Sequence, residues 1–141
     1  MRLSLTLFLF LAVTVSASAQ THVGLTLTST HYVEGEYNEI NPGVIIEGRV
    51  PREGKRRVAV RKSVGAYRNS FDRLSLLGGG SMAYPSGALV QGKIMFGLVS
   101  GYPSMFLMPM LSPSLRIGRE RGVELHALPG AFAVSVYFTI N

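Results

Sequence analysis

No cysteine and no tryptophan occur in this chain, and only eight of its 141 residues are acidic. The missing cysteine excludes thiolate metal sites, thiol nucleophiles and disulfide staples, and with them a lipid-modified cysteine as an anchor. Three histidines are present, with no HxH or HExxH spacing to bind a metal. No metal and no other cofactor is expected. The shortage of acid leaves a formal charge of +6, much of it in Arg49, Arg52, Lys55, Arg56, Arg57, Arg61 and Lys62. A nucleic-acid surface would combine such a run with stacking aromatics, and none lies between Arg49 and Lys62. The run reads instead as a solvated turn near a phosphate-rich membrane surface. Amphipathic helices are missing too, because no stretch repeats its apolar residues with a helical period.

The one long apolar run lies at the start. Arg2 precedes Leu3–Val15, and small residues follow at Ala17 and Ala19 before Gln20. A basic start, an apolar run and a small-residue site describe a secretory signal peptide over residues 1–19. An N-terminal membrane anchor is the other reading, but the run is short for a span and no basic flank follows it. Residues 20–141 are then a single domain.

What fills that domain is alternation. In Val58–Gly80, the residues Val58, Val60, Val64 and Ala66 share one face, and Arg61, Ser63, Gly65 and Tyr67 the other. A turn carrying Arg68, Asn69, Ser70 and Phe71 leads to a second strand from Arg73. The pattern repeats along the chain, with Gly and Pro mostly at the breaks. Val23, Leu25 and Leu27 oppose Gly24, Thr26, Thr28 and Thr30, and a segment follows at Val44–Val50. Later, Val90, Ile94, Phe96 and Leu98 oppose Gln91, Lys93, Met95 and Gly97. Leu107, Leu111, Leu115 and Ile117 oppose Met108, Met110, Ser112, Ser114 and Arg116, and Val123–Leu128 returns. The last strand sets Phe132, Val134, Val136, Phe138 and Ile140 against Ala133, Ser135, Tyr137 and Thr139.

Eight such segments with short connections predict an all-β fold, an eight-stranded antiparallel up-and-down β-barrel whose closure leaves no edge unpaired. Alternation fits a secreted lipocalin-like barrel with its apolar face inside, or a membrane barrel with that face outside. Segments of about ten residues suit a tilted membrane crossing, and Arg61, Lys93, Arg116, Glu124 and His126 on the second face suit a wet lumen. The outer-membrane form is therefore expected. On that reading Val134 and Phe138 face lipid, while Ser135 and Thr139 would tolerate a charge. An even barrel begins and ends on the periplasmic side, so the connections His31–Pro42, Arg68–Asp72, Gly101–Ser104 and Pro129–Gly130 share the outer rim.

A serine nucleophile needs a base and a group that orients the base. Ser70 at a turn tip and His31 on the neighbouring connection supply two of the three. Asn69 and Ser70 are equally residues that simply favour turns. Pro109 and Pro113 remove ladder donors and predict gaps in strand pairing. Met105, Met108 and Met110 beside them would line a flexible apolar path or merely pack.

Over roughly residues 31 to 141 the chain resembles the outer-membrane lipid A palmitoyltransferases. Tyr37-Asn38-Glu39 with Pro42-Gly43 resembles the family's Tyr-Asn-Glu segment, and Tyr67-Arg68-Asn69-Ser70-Phe71 its aromatic-Lys-Asp-Ser-Trp tip. Met108–Pro113 keeps two prolines four apart, and Leu128-Pro129-Gly130 resembles an Ile-Pro-Gly turn. The resemblance implies a lumen that holds an acyl chain and an activity that moves palmitate from a phospholipid to lipid A. It implies phospholipid and lipopolysaccharide as partners, a monomer in the outer membrane, and Tyr37, Asn38 and Glu39 at the rim. The family's His, Asp and Ser would be carried onto His31, Asn69 and Ser70, and its lipid gate onto Pro109 and Pro113. Asn69 stands where the family has a carboxylate, and the family's helix before the first strand has no counterpart here. A barrel that does no chemistry and uses its rim for surface interaction or exclusion is the alternative function.

Overall fold

Alternating residues become eight antiparallel strands: β1 (Thr21–His31), β2 (Ile40–Arg49), β3 (Ala59–Arg68), β4 (Leu74–Tyr84), β5 (Val90–Tyr102), β6 (Met105–Gly118), β7 (Arg121–Leu128) and β8 (Ala131–Ile140). Each pairs with the next, and β8 pairs back onto β1 to close the barrel. A computed structural model describes residues 20–51, 57–103 and 105–140. The predicted signal peptide, residues 52–56 of the basic turn, Ser104 and Asn141 lie outside them. No helix occurs among the described residues.

The apolar face is the outer one. Leu25, Ile94, Phe96, Leu98, Leu111, Leu115, Leu125, Phe132 and Phe138 are all exposed around the wall. The interior is polar: Glu47, Arg61, Lys93, Arg116, Glu124 and His126 are buried, with Ser63, Ser81, Ser112 and Ser135 among them. The largest side chain shut fully inside, among the described residues, is Arg116, at 1% exposure. A strand's period of two puts alternate residues on opposite faces, and closure turns one face into a lumen.

One strand departs from strict alternation. The β1 register shifts between Thr26 and Thr28 on both of its neighbours, a bulge at Leu27. An extra residue reverses the phase beyond it. His22, Gly24 and Thr26 face inward below the bulge, and Ser29 and His31 above it. Thr30, expected on the lumen face, pairs with the outward Phe132 instead.

A second departure lies between β6 and β7. The β5–β6 ladder runs from Met105 to Ile117, past both prolines. The β6–β7 ladder begins only at Ser114↔His126 and runs downward from there. The prolines' missing N–H groups therefore fall on the β7 side, and pairing stops at Pro113. Ser112 Oγ donates to Ala127 O at 3.3 Å, the carbonyl that a residue with an N–H at position 113 would meet if the ladder continued.

Candidate functional site

The lumen has two halves of opposite character. Toward the rim that carries the connections β1–β2, β3–β4, β5–β6 and β7–β8, a cavity of about 80 Å³ is lined by Ile45, Tyr67, Leu77, Met95, Met110 and Leu128, with Thr26, Ser29, Asn69, Ser70, Ser112 and Ala133 between them. Of these, Leu77 and Met95 pack with Val99 into a buried cluster, with Ile45, Tyr67, Met108 and Met110 against it. Glycine makes room for one wall, since a Cβ on Gly43 would collide with the Cβ of Tyr67. Tyr67 meets Tyr102 hydroxyl to hydroxyl at 3.4 Å.

The other half is filled by charge. Lys93 Nζ touches both Glu47 (2.9 Å) and Glu124 (2.7 Å). Arg116 Nη2 touches the same two carboxylates at 2.6 Å each, and its guanidinium lies 4.3 Å from the centre of the Tyr137 ring. Ser81 and Ser63 donate to Glu47 Oε1, and Ser114 donates to Glu124 Oε1. Buried charges persist only when paired and hydrogen-bonded, and this lattice meets that condition for four of them. It closes the barrel below the cavity. His126 bridges the halves, lining the cavity and meeting Ser135 Oγ at 2.9 Å.

At the cavity rim the residues picked out by the sequence gather, but not as a triad. His31 stacks on Tyr37 at 4.2 Å between ring centroids. Tyr37 meets the edge of Phe71, and Phe71 meets Tyr102. His31 and Ser70 thus share one aromatic-lined mouth. No hydrogen bond joins them among the described residues, and His31 Nδ1 is buried without a partner. Asn69 is turned to another task. Its Oδ1 accepts from the N–H groups of Phe71 (2.9 Å) and Arg73 (3.1 Å). Its Nδ2 donates to Ser75 Oγ and to Gly101 O, both at 2.9 Å. At 1% exposure, Asn69 caps the β3–β4 turn and ties it to β5, leaving neither amide atom free to orient His31. Downstream, Asp72 takes a left-handed backbone (φ 61°), which Asp tolerates better than most residues. Its exposed ion pair with Arg68 holds its carboxyl below the ordinary range.

Tyr37, Asn38 and Glu39 form a strap across that mouth. Asn38 N donates to Ser70 O, and Glu39 O accepts from Ser29 N and from Thr28 Oγ1. The strap fastens β1, β2 and the β3–β4 turn together. Pro109 and Pro113 both lie on the outer face, in the upper stretch of β6 that is paired with β5 but not with β7, where Phe106 is 80% exposed.

Two participants escape a reading of alternation alone. Glu47 sits in VIIEGRV, where apolar residues on both faces hide the period, although an acid inside an apolar strand is itself a signal. His22 shares the face of Gly24 and Thr26, and alternation does not show that it is held between Arg61 and Arg116. Neither a protein-family model nor a curated protein matches this chain.

Proposed function

We propose that this chain is a small outer-membrane barrel that binds the end of an acyl chain in its rim-side cavity, a non-catalytic relative of the lipid A palmitoyltransferases it resembles. The observation that carries the membrane reading is the inverted polarity: apolar side chains ring the outside and paired charges fill the inside. A soluble lipocalin-like barrel requires the opposite. Exposed aromatics stand toward both ends of the wall, with Tyr32, Phe106 and Phe132 toward one and Tyr84 and Phe138 toward the other, as the girdles of a membrane barrel do. The apolar cavity, and the break in the ladder beside it, support a lipid chain as the guest.

Size limits that guest. An engineered apolar cavity of about 150 Å³ takes benzene, so about 80 Å³ takes a chain terminus and not a sixteen-carbon tail. Met95 and Met110 are the flexible walls that could yield further. Transfer is disfavoured by the rim, because the base has no orienting partner and Asn69 is fully engaged in its turn.

Binding is tested with a fluorescent fatty acid and the purified barrel in detergent. Decanoate should compete at lower concentration than palmitate, and Met95→Trp should weaken binding at least tenfold. Lipid mass spectrometry of membranes carrying the wild type, Ser70→Ala, His31→Ala and Asn69→Asp should give one unchanged profile. A new acylated lipid that disappears with Ser70→Ala would restore the enzyme reading. Recovery of the chain in the soluble fraction would sink the membrane reading.

A further inference from the structure

Among the described residues, the charged half of the lumen is one anion short. Three cationic side chains are buried there, Arg61, Lys93 and Arg116, against two carboxylates, Glu47 and Glu124. Both carboxylates are engaged by Lys93 and Arg116. Arg61, at 6% exposure, forms no ion pair among the described residues. A guanidinium does not shed its proton in a protein, so this charge stays.

Its only hydrogen-bonding neighbour among the described residues is a poor one. Arg61 Nη2 lies 2.9 Å from His22 Nε2, and Arg116 Nη1 lies 2.8 Å from His22 Nδ1. An imidazole offers at most one acceptor nitrogen, so it cannot accept from both guanidiniums. Arg116 has two carboxylates to satisfy it; Arg61 has none among the described residues. Its Nε and Nη1 are buried without partners among the described residues. Directly across the ladder stands Arg49, a further positive charge, where like charges repel.

The same corner holds two more unused donors. Tyr137 Oη and Thr139 Oγ1 are buried with no partner among the described residues. Both sit on β8 beside His22, which pairs with Thr139 and stacks on Tyr137 at 5.9 Å. Four of the five buried side-chain atoms without partners among the described residues therefore surround one imidazole. Orphaned buried donors are costly and rare, and a concentration of them around an unpaired cation is a site for its counter-ion.

We propose that this corner binds one small monovalent anion, chloride in size and charge, held by Arg61, Tyr137 and Thr139. One negative charge completes the balance of the lower lumen. The donors are closed off from solvent, so the ion must be small, and the exposed Arg49 at the mouth is the side chain that would move to admit it. The site is independent of the acyl reading: it lies in the other half of the lumen and involves none of the cavity-lining residues.

The test uses the full chain folded in dodecyl maltoside, unfolded by urea in sodium chloride and in sodium gluconate at equal ionic strength. Chloride should raise the midpoint along a saturating curve, and gluconate should not. Arg61→Gln should abolish the chloride increment. Because that variant can fail to fold, the double variant Tyr137→Phe with Thr139→Val is the second arm. Replacing orphaned hydroxyls by apolar groups of like shape is near neutral, so it should fold as well as wild type in gluconate and lose most of the chloride increment. Bromide-soaked crystals should show an anomalous peak within hydrogen-bond reach of Arg61. Equal midpoints in the two salts, a chloride increment that survives the double variant, or an increment of equal size from phosphate would overturn the proposal.

Discussion

Asn69 shows how one residue type can serve two chemistries, and which one the surroundings select. In the resembled family an aspartate at this position orients a histidine; here the amide uses a donor and an acceptor at once. Two N–H groups of its own turn reach Oδ1, while Nδ2 reaches Ser75 and the carbonyl of Gly101. A carboxylate can replace the acceptor but not the donor, and it would set an anionic oxygen against a carbonyl. Ser75 cannot easily turn to help, since its hydroxyl already donates to Ser100 O at 2.6 Å. Asn69→Asp should therefore destabilise the barrel by about 1–3 kcal/mol, the cost of unsatisfied buried polar groups, and should not create activity. The loss should be largest at pH 8 and shrink toward pH 4, where a protonated carboxyl regains a donor. Urea midpoints at the two pH values measure this. A variant as stable as wild type at pH 8 would mean that the turn does not depend on the amide.

At the scale of the strand, period two was sufficient to read the barrel, while its facing was read from the charged residues of the second face and the length of the segments. Strands located from Val58–Gly80 and from the terminal Phe132–Ile140 pattern fall where the structure has them, because closure asks only that polar and apolar residues alternate. What alternation cannot carry is a break in its own phase. The bulge at Leu27 has no composition of its own, since VGLTLTST alternates through it, and only pairing on both sides reveals that His31 has turned inward. The prolines were legible for a different reason: a missing N–H is a property of the residue itself. The structure adds the direction of the resulting gap, toward β7, and the hydroxyl of Ser112 that fills one vacancy. If the gap admits a lipid chain, closing it should slow entry without changing the cavity. The absence of native cysteine makes Pro113→Cys with Ala127→Cys a clean lock, as the two positions would face each other if the ladder continued. Oxidation should slow fatty-acid uptake at least fivefold, and reductant should restore it. Uptake indifferent to the lock would place entry at the open mouth instead.

The whole molecule is a closed barrel with an apolar outer face and a charged interior, and a single added charge tests each. On the outer wall Val134 lies at mid-strand, paired with Leu125 on one side and Thr28 on the other. In a bilayer Val134→Arg should cost about 2–4 kcal/mol, whereas Phe138→Arg, nearer the end of its strand, should cost about 0–1 kcal/mol if that end reaches the interface. The lumen face does not behave as alternation suggested. Ser135 is buried against His126 and lies opposite Glu124, where the lumen is packed with ion pairs rather than open water. Ser135→Arg would add a bulky fourth cation to Arg61, Lys93 and Arg116, so overpacking and an unbalanced charge replace the tolerance expected of a wet pore. The lumen position with room is Ala133, which lines the cavity. Ala133→Ser should therefore be nearly silent, with Val134→Arg and Ser135→Arg both damaging for unrelated reasons. The two reasons separate by solvent. Val134→Arg loses its penalty when the barrel is held in a short-chain detergent with a thin, wet belt, because the arginine then reaches water. Ser135→Arg keeps its penalty there, because the lumen is unchanged. Heat-modifiable migration on gels and urea unfolding, in bilayers and in detergent, supply the four numbers. A Val134→Arg penalty that persists in detergent would mean the outer wall is buried against protein, and not against lipid.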